Sequence, residues 1–250
     1  MHASELGWML LPFAGTAVGG LAILALRRPG PIALDAALGF TGGVMVAASV
    51  FSLLVPALER GALWEVLVGF GAGAAAIGVL DRWVPHVHER FRERGHRPDP
   101  TSGDAQRARL LLSALTIHNI PEGAAVGVAF AAGGAELGVP ITVAITVQNV
   151  PEGFAAAAPL LGGRLSILAV AGVAAATGIV EPPAALLAYA AVSVAAPILA
   201  GALAFAAAAM LYVVVDELVP EMTARGNERI ATAAFMAGFA VMMVLDVSLG

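Results

Sequence analysis

Apolar residues run through the chain in long blocks, separated by short polar or glycine- and proline-rich breaks. A helix needs roughly 20 mainly apolar residues to cross a bilayer. That ruler predicts eight membrane-spanning helices, near residues 7–26, 34–57, 62–84, 108–132, 140–161, 165–190, 195–218 and 229–249. The first stops at Arg27-Arg28-Pro29-Gly30-Pro31. It reads as a retained helix, because neither a basic leader nor a small-residue cleavage site accompanies it. The sixth and seventh are divided only by Ser193, Pro197 and Gly201, and a continuous helix there would lower the count to seven. The spans form one domain over 1–250, and the one long polar stretch is 85–107.

Composition sharpens this picture. Hydrophobic residues make up 59% of the chain, with another 29 glycines, while charged residues reach only 12%. An ordinary soluble domain has ~25% charged residues. A soluble enzyme, a nucleic-acid binder and a disordered chain are therefore excluded, and an all-α membrane protein remains. Cysteine is absent, which removes disulfides and thiolate metal ligands. All 13 basic residues are arginine. With eight spans and the N-terminus outside, 12 of them fall on the cytoplasmic side and only Arg60 outside. Basic residues accumulate in cytoplasmic loops, so both termini are expected outside and 85–107 in the cytoplasm.

Polar groups inside a span are costly and mark function by default. The fourth predicted span holds His118-Asn119-Ile120-Pro121-Glu122-Gly123 and the fifth Gln148-Asn149-Val150-Pro151-Glu152-Gly153, one motif repeated 30 residues apart. On a helix, residues i and i+4 share a face, so His118 pairs with Glu122 and Gln148 with Glu152. The prolines lack an N–H and are expected to kink the helices, freeing the carbonyls of Ile117 and Val147. The glycines let another helix approach closely. Two such helices face to face would gather imidazole, amide oxygens and carboxylates within the membrane. That donor set suits a first-row transition metal, zinc above all. Glu181, followed by Pro182-Pro183 in the sixth span, is a third acidic contributor.

These residues resemble the bacterial type of the ZIP (Zrt/Irt-like) divalent-metal transporters, over essentially the whole chain. The resemblance implies an inverted-repeat bundle of 3+2+3 helices in the cell membrane, the inner one in bacteria. It implies a binuclear site: one ion at His118, Glu122, Gln148 and Glu152, a second at Asn119, Asn149, Glu152 and Glu181, with Glu152 bridging. Some relatives carry histidine at the Gln148 position or aspartate at Asn149, so two neutral amides make the second position here less anionic. Zinc is the expected cargo, with cadmium, iron and manganese as further candidates, moved towards the cytoplasm by an elevator-like shift of the metal-binding helices against a static remainder. No resident cofactor is expected. The partners implied are the metal ion and the lipid bilayer, with a homodimer as one option for assembly.

Outlying polar residues fall into two groups. Asp81, His86 and His88 close the third span and Asp216 and Glu217 lie near the end of the seventh, both on the cytoplasmic side, where they resemble the family's exit route. Met45, Ser52 and Glu59 fall at i, i+7 and i+14 along the second span and resemble its entrance cavity. Asp35, Glu65, Glu136 and Asp246 read as charges at span ends. The chief competing function is an intramembrane zinc-dependent hydrolase. Such an enzyme typically gathers two or three histidines, as in H-E-x-x-H, around an open coordination position. Only His118 lies inside a predicted span.

Overall fold

The computed structural model of the protein describes residues 3–26, 30–83, 104–157, 160–161, 165–194 and 198–249. Among them there is no strand. The helices are α1 (Ala3–Met9), α2 (Leu11–Leu26), α3 (Pro31–Ala47), α4 (Val55–Arg60), α5 (Leu63–Trp83), α6 (Asp104–Ala157), α7 (Ile167–Thr177), α8 (Glu181–Val194), α9 (Leu199–Val213), α10 (Val219–Met222) and α11 (Glu228–Leu249). Seven helical stretches among the described residues are long and apolar enough to cross a membrane.

The joints between elements have local causes. A π-helical segment, Ala48–Leu54, joins α3 to α4, and another, Val214–Leu218, joins α9 to α10. Each runs into a Val-Pro pair, Val55-Pro56 and Val219-Pro220, where the missing proline N–H leaves the regular ladder short of a donor. α8 is described as far as Val194 and α9 starts at Leu199, while residues 195–197, where the sixth and seventh spans are expected to divide, lie outside the described residues. The helix continues through Pro121 and Pro151, and within α6 only Gly133 and Gly134 leave helical dihedrals. Gly134, at φ 56° and ψ −137°, occupies a region closed to residues with a Cβ. There the chain folds back, and the Gln148 side chain bonds to that of Glu122, 26 residues earlier. The second arm is already helical before residue 140, where the apolar pattern puts the start of the fifth span.

Packing is organised by glycine contacts. A methyl group at Gly15 or Gly19 of α2 would meet the carbonyls of Thr146 and Val150 on the second arm of α6. Likewise Gly123 and Gly127 on the first arm lie against the carbonyls of Glu181 and Ala185, Gly39 and Gly43 of α3 against Ala231 and Phe235, and Gly69 and Gly73 of α5 against Gly201 and Phe205. In each pair both numbers rise together, so the paired helices run parallel. Small residues let backbones approach this closely and maximise dispersion contacts where lipid supplies no hydrophobic drive. Two groups result. One is α2, α6, α7 and α8; the other pairs α3 with α11 and α5 with α9, and α3 and α9 also touch α6. Large apolar side chains point outward around the bundle, Leu187 at 72% and Val247 at 80% exposure, as a lipid-facing surface requires.

Asp35 is not a solvated charge at a span end. It is fully buried, accepting from Arg225 Nη1 at 2.9 Å and Asn227 Nδ2 at 2.9 Å. Arg225 also pairs with Glu221 one helical turn away. Burial works against the guanidinium charge, but the hydrogen bonds and charges of Asp35 and Glu221 outweigh it and raise the pKa of Arg225 above its ordinary value. A raised pKa contributes stability below the unfolded value and loses it only above, so this clasp holds across the whole neutral range. Arg225→Ala leaves Asp35 buried without its cation. It is expected to cost about 3 kcal/mol, the lower end for a broken buried pair because Arg225 is 25% exposed, read as a lower melting temperature in detergent.

Candidate metal centre

Asn119, Glu122, Gln148, Asn149, Glu152 and Glu181 are all buried, none more than 3% exposed, inside a bundle whose interior is otherwise almost wholly apolar. The two arms of α6 carry the first five because the chain folds back at Gly133-Gly134. Glu181 arrives on the first turn of α8, brought close by Gly123. Two pairs form. Gln148 Nε2 donates to Glu122 Oε1, linking the two motifs. Asn149 Nδ2 donates to Glu181 Oε1 at 3.1 Å and to the Pro12 carbonyl at 3.2 Å. Glu152 stands one turn beyond Gln148 on the same arm. The His118 side chain lies outside the described residues, although its backbone belongs to the first arm of α6. No group of three or more His, Asp or Glu side chains in metal-holding geometry occurs among the described residues.

Both amide atoms of Asn119, Oε1 of Gln148 and Oδ1 of Asn149 are buried with no hydrogen-bond partner among the described residues. Leaving such an atom unpaired costs roughly 1–3 kcal/mol each. Three amide oxygens left unsatisfied and three buried carboxylates on the same helices make an acceptor-rich group of side chains, of the oxygen-donor chemistry that suits a divalent cation.

The profile of the ZIP zinc transporter family matches residues 84–246. The zinc transporter ZIPB of Bordetella bronchiseptica is 40% identical, the match covering 95% of this chain and 79% of that one. The zinc transporter GufA of Myxococcus xanthus is 37% identical, with 96% and 97% covered. Human zinc transporter ZIP11 is 33% identical over 94% of each chain. The chain belongs to the ZIP family. It is a multi-pass membrane transporter of metal ions, and the hydrolase alternative falls away.

Other residues singled out from the sequence occupy varied positions in this ZIP chain. Met45 is fully buried and packs in the main hydrophobic core. Ser52 is buried, but its hydroxyl donates to Asp246 Oδ1 of α11 at 2.6 Å, a partnership the sequence did not suggest. Glu59 is exposed at the end of α4. The π turns between Met45 and Glu59 widen the helix, so the regular i, i+7, i+14 stripe is not kept. Glu65 caps its own helix, accepting from the Ala62 N–H at 2.9 Å. Asp216 is exposed and Glu217 half-buried in the second π segment. The parallel register of α5 and α9 brings the helix end carrying Asp81 to the same side of the bundle as Asp216. His86, His88 and the Asp81 side chain lie outside the described residues. Sequence reading missed two threonines: Thr41 of α3 donates to the Gln148 carbonyl at 3.2 Å, and Thr16 of α2 to Glu181 Oε1 at 2.9 Å. Each is a lone hydroxyl beside glycine in an apolar helix, the only signal available.

Proposed function

We propose that this ZIP protein carries zinc, with cadmium, iron and manganese as lesser cargo, into the cytoplasm through a mid-membrane site on the two arms of α6 and the start of α8. The observation carrying this reading is the meeting of unsatisfied amide oxygens with buried carboxylates in an apolar bundle. The zinc transport named for the relatives supports the choice of metal. His118, Glu122, Gln148 and Glu152 form the first metal position. Asn119, Asn149, Glu152 and Glu181 form a second and weaker one, because two of its four ligands are neutral and one carboxylate is shared.

The chain crosses the membrane eight times, with both termini outside. A straight helix of 54 residues would run ~80 Å, against a hydrocarbon core of ~30 Å, so α6 serves as two crossings. The parallel pairs support this count. Spans running parallel must have the same parity, and α3 with α11 and α5 with α9 do so only if α6 is counted twice. Transport proceeds by an elevator motion. All the site side chains ride on the group α2, α6, α7 and α8, while α3, α5, α9 and α11 form the static group. An apolar cleft of about 450 Å³ runs along the seam, lined by Trp64, Val68 and Phe205 on one side and Ala124, Val128 and Ala188 on the other. Small and apolar side chains let one surface slide over another without breaking polar pairs. A second copy of the chain completes a homodimer.

Reconstituted proteoliposomes offered Zn, Cd, Fe, Mn and Co radiometals should accumulate zinc fastest, with cadmium, iron and manganese following. Uptake of none of them by correctly inserted protein would overturn the reading.

A further inference from the structure

The second metal position depends on a helix that supplies it no ligand. Thr16 is 1% exposed on α2, and its hydroxyl donates to Glu181 Oε1 at 2.9 Å. It also lies 3.4 Å from the Pro12 carbonyl, so the single hydroxyl proton has a nearer and a farther acceptor, and the carboxylate is the nearer. The same Pro12 carbonyl accepts from Asn149 Nδ2 at 3.2 Å, while that Nδ2 also reaches Glu181 Oε1 at 3.1 Å. The Asn149 amide is thereby oriented from two sides. Its nitrogen faces α2 and α8, and its oxygen, buried and without a hydrogen-bond partner among the described residues, is left to face an ion.

Two glycines make room for this arrangement. A methyl group at Gly178 would stand 2.9 Å from Thr16 Oγ1 and 2.8 Å from Glu181 Oε1, where the hydrogen bond now runs. One at Gly153 would collide with the Thr16 carbonyl, so the motif glycine of the second arm is what seats Thr16 at this depth. A donor fixed against one carboxylate oxygen sets the orientation of the whole group and keeps it from swinging to other partners. Outer partners of this kind govern metal affinity without touching the metal.

We propose that Thr16 is the positioning residue of the second metal position, holding the Glu181 carboxylate in place for a divalent ion from outside the coordination shell. This rests on the two-position reading above. The test is a calorimetric titration of the full-length protein in lipid nanodiscs with zinc chloride, comparing wild type, Thr16→Val and Thr16→Ser. Wild type is expected to take up zinc in two steps. Thr16→Val keeps the shape but removes the hydroxyl, and should weaken the second step by roughly 10–100-fold while leaving the first unchanged. Thr16→Ser should restore the second step. An unchanged second step in Thr16→Val, or a Ser variant as impaired as Val, would overturn the assignment. Loss of both steps together would also overturn it, making Thr16 a support of the whole bundle. A single step in the wild type would remove the second position itself, an outcome seen before any variant is considered.

Discussion

Glu152→Ala is expected to reduce zinc uptake by proteoliposomes to the level of protein-free vesicles, while the protein still inserts and folds, read as a cooperative thermal transition in detergent. A carboxylate at 3% exposure inside an apolar bundle carries a desolvation cost that folding must absorb. In the proposed site Glu152 is the ligand shared by both metal positions, so its loss removes a donor from each. Glu152→Gln separates charge from shape, since it keeps the volume and the hydrogen-bonding capacity but removes the anion. It should be nearly as inactive as Ala. Near wild-type uptake by either variant would remove Glu152 from the transport site.

Gly123→Val and Gly153→Val should lose transport without changing a single candidate ligand. A side chain at Gly123 meets the backbone of Glu181, and one at Gly153 meets the backbone of Thr16; neither carbonyl can swing aside as a flexible side chain would. The helices must separate, which costs roughly 1–3 kcal/mol or more and carries Glu181 away from the arms of α6. Gly172 of α7 is the control, because nothing lies within 4 Å of a methyl group placed there. Gly172→Val should fold and transport like wild type. If the valines at 123 and 153 behaved no differently from the one at 172, close helix approach would not be what assembles the site.

Much of the site could be read directly from the chain. The repeated motif, with His118 or Gln148 opening it and Glu122 or Glu152 four residues on, stands out because membrane helices exclude such residues unless they are needed. The fold-back at Gly133-Gly134 rests on dihedrals that only the structure shows, Gly134 at φ 56° among them. The second arm is helical already before Pro140, where the apolar pattern opens the fifth span, because a helix can extend past the apolar stretch that crosses the membrane.

What the sequence by itself determined was the membrane class, the helical blocks and the donors carried on them, because hydropathy, helical period and the cost of buried charge are properties of local sequence. Tertiary structure decided which helices pair, and therefore who completes whom. Asp35 reads from the sequence only as a charge at a span end, and the fold buries it under Arg225 and Asn227, 190 and 192 residues away. Asp246 gains Ser52, and Glu181 gains Thr16 from the opposite end of the chain. A hydroxyl in an apolar helix carries no local sign of its partner. That partner is fixed only when glycine contacts, set by the fold as a whole, bring two backbones to the same depth in the membrane.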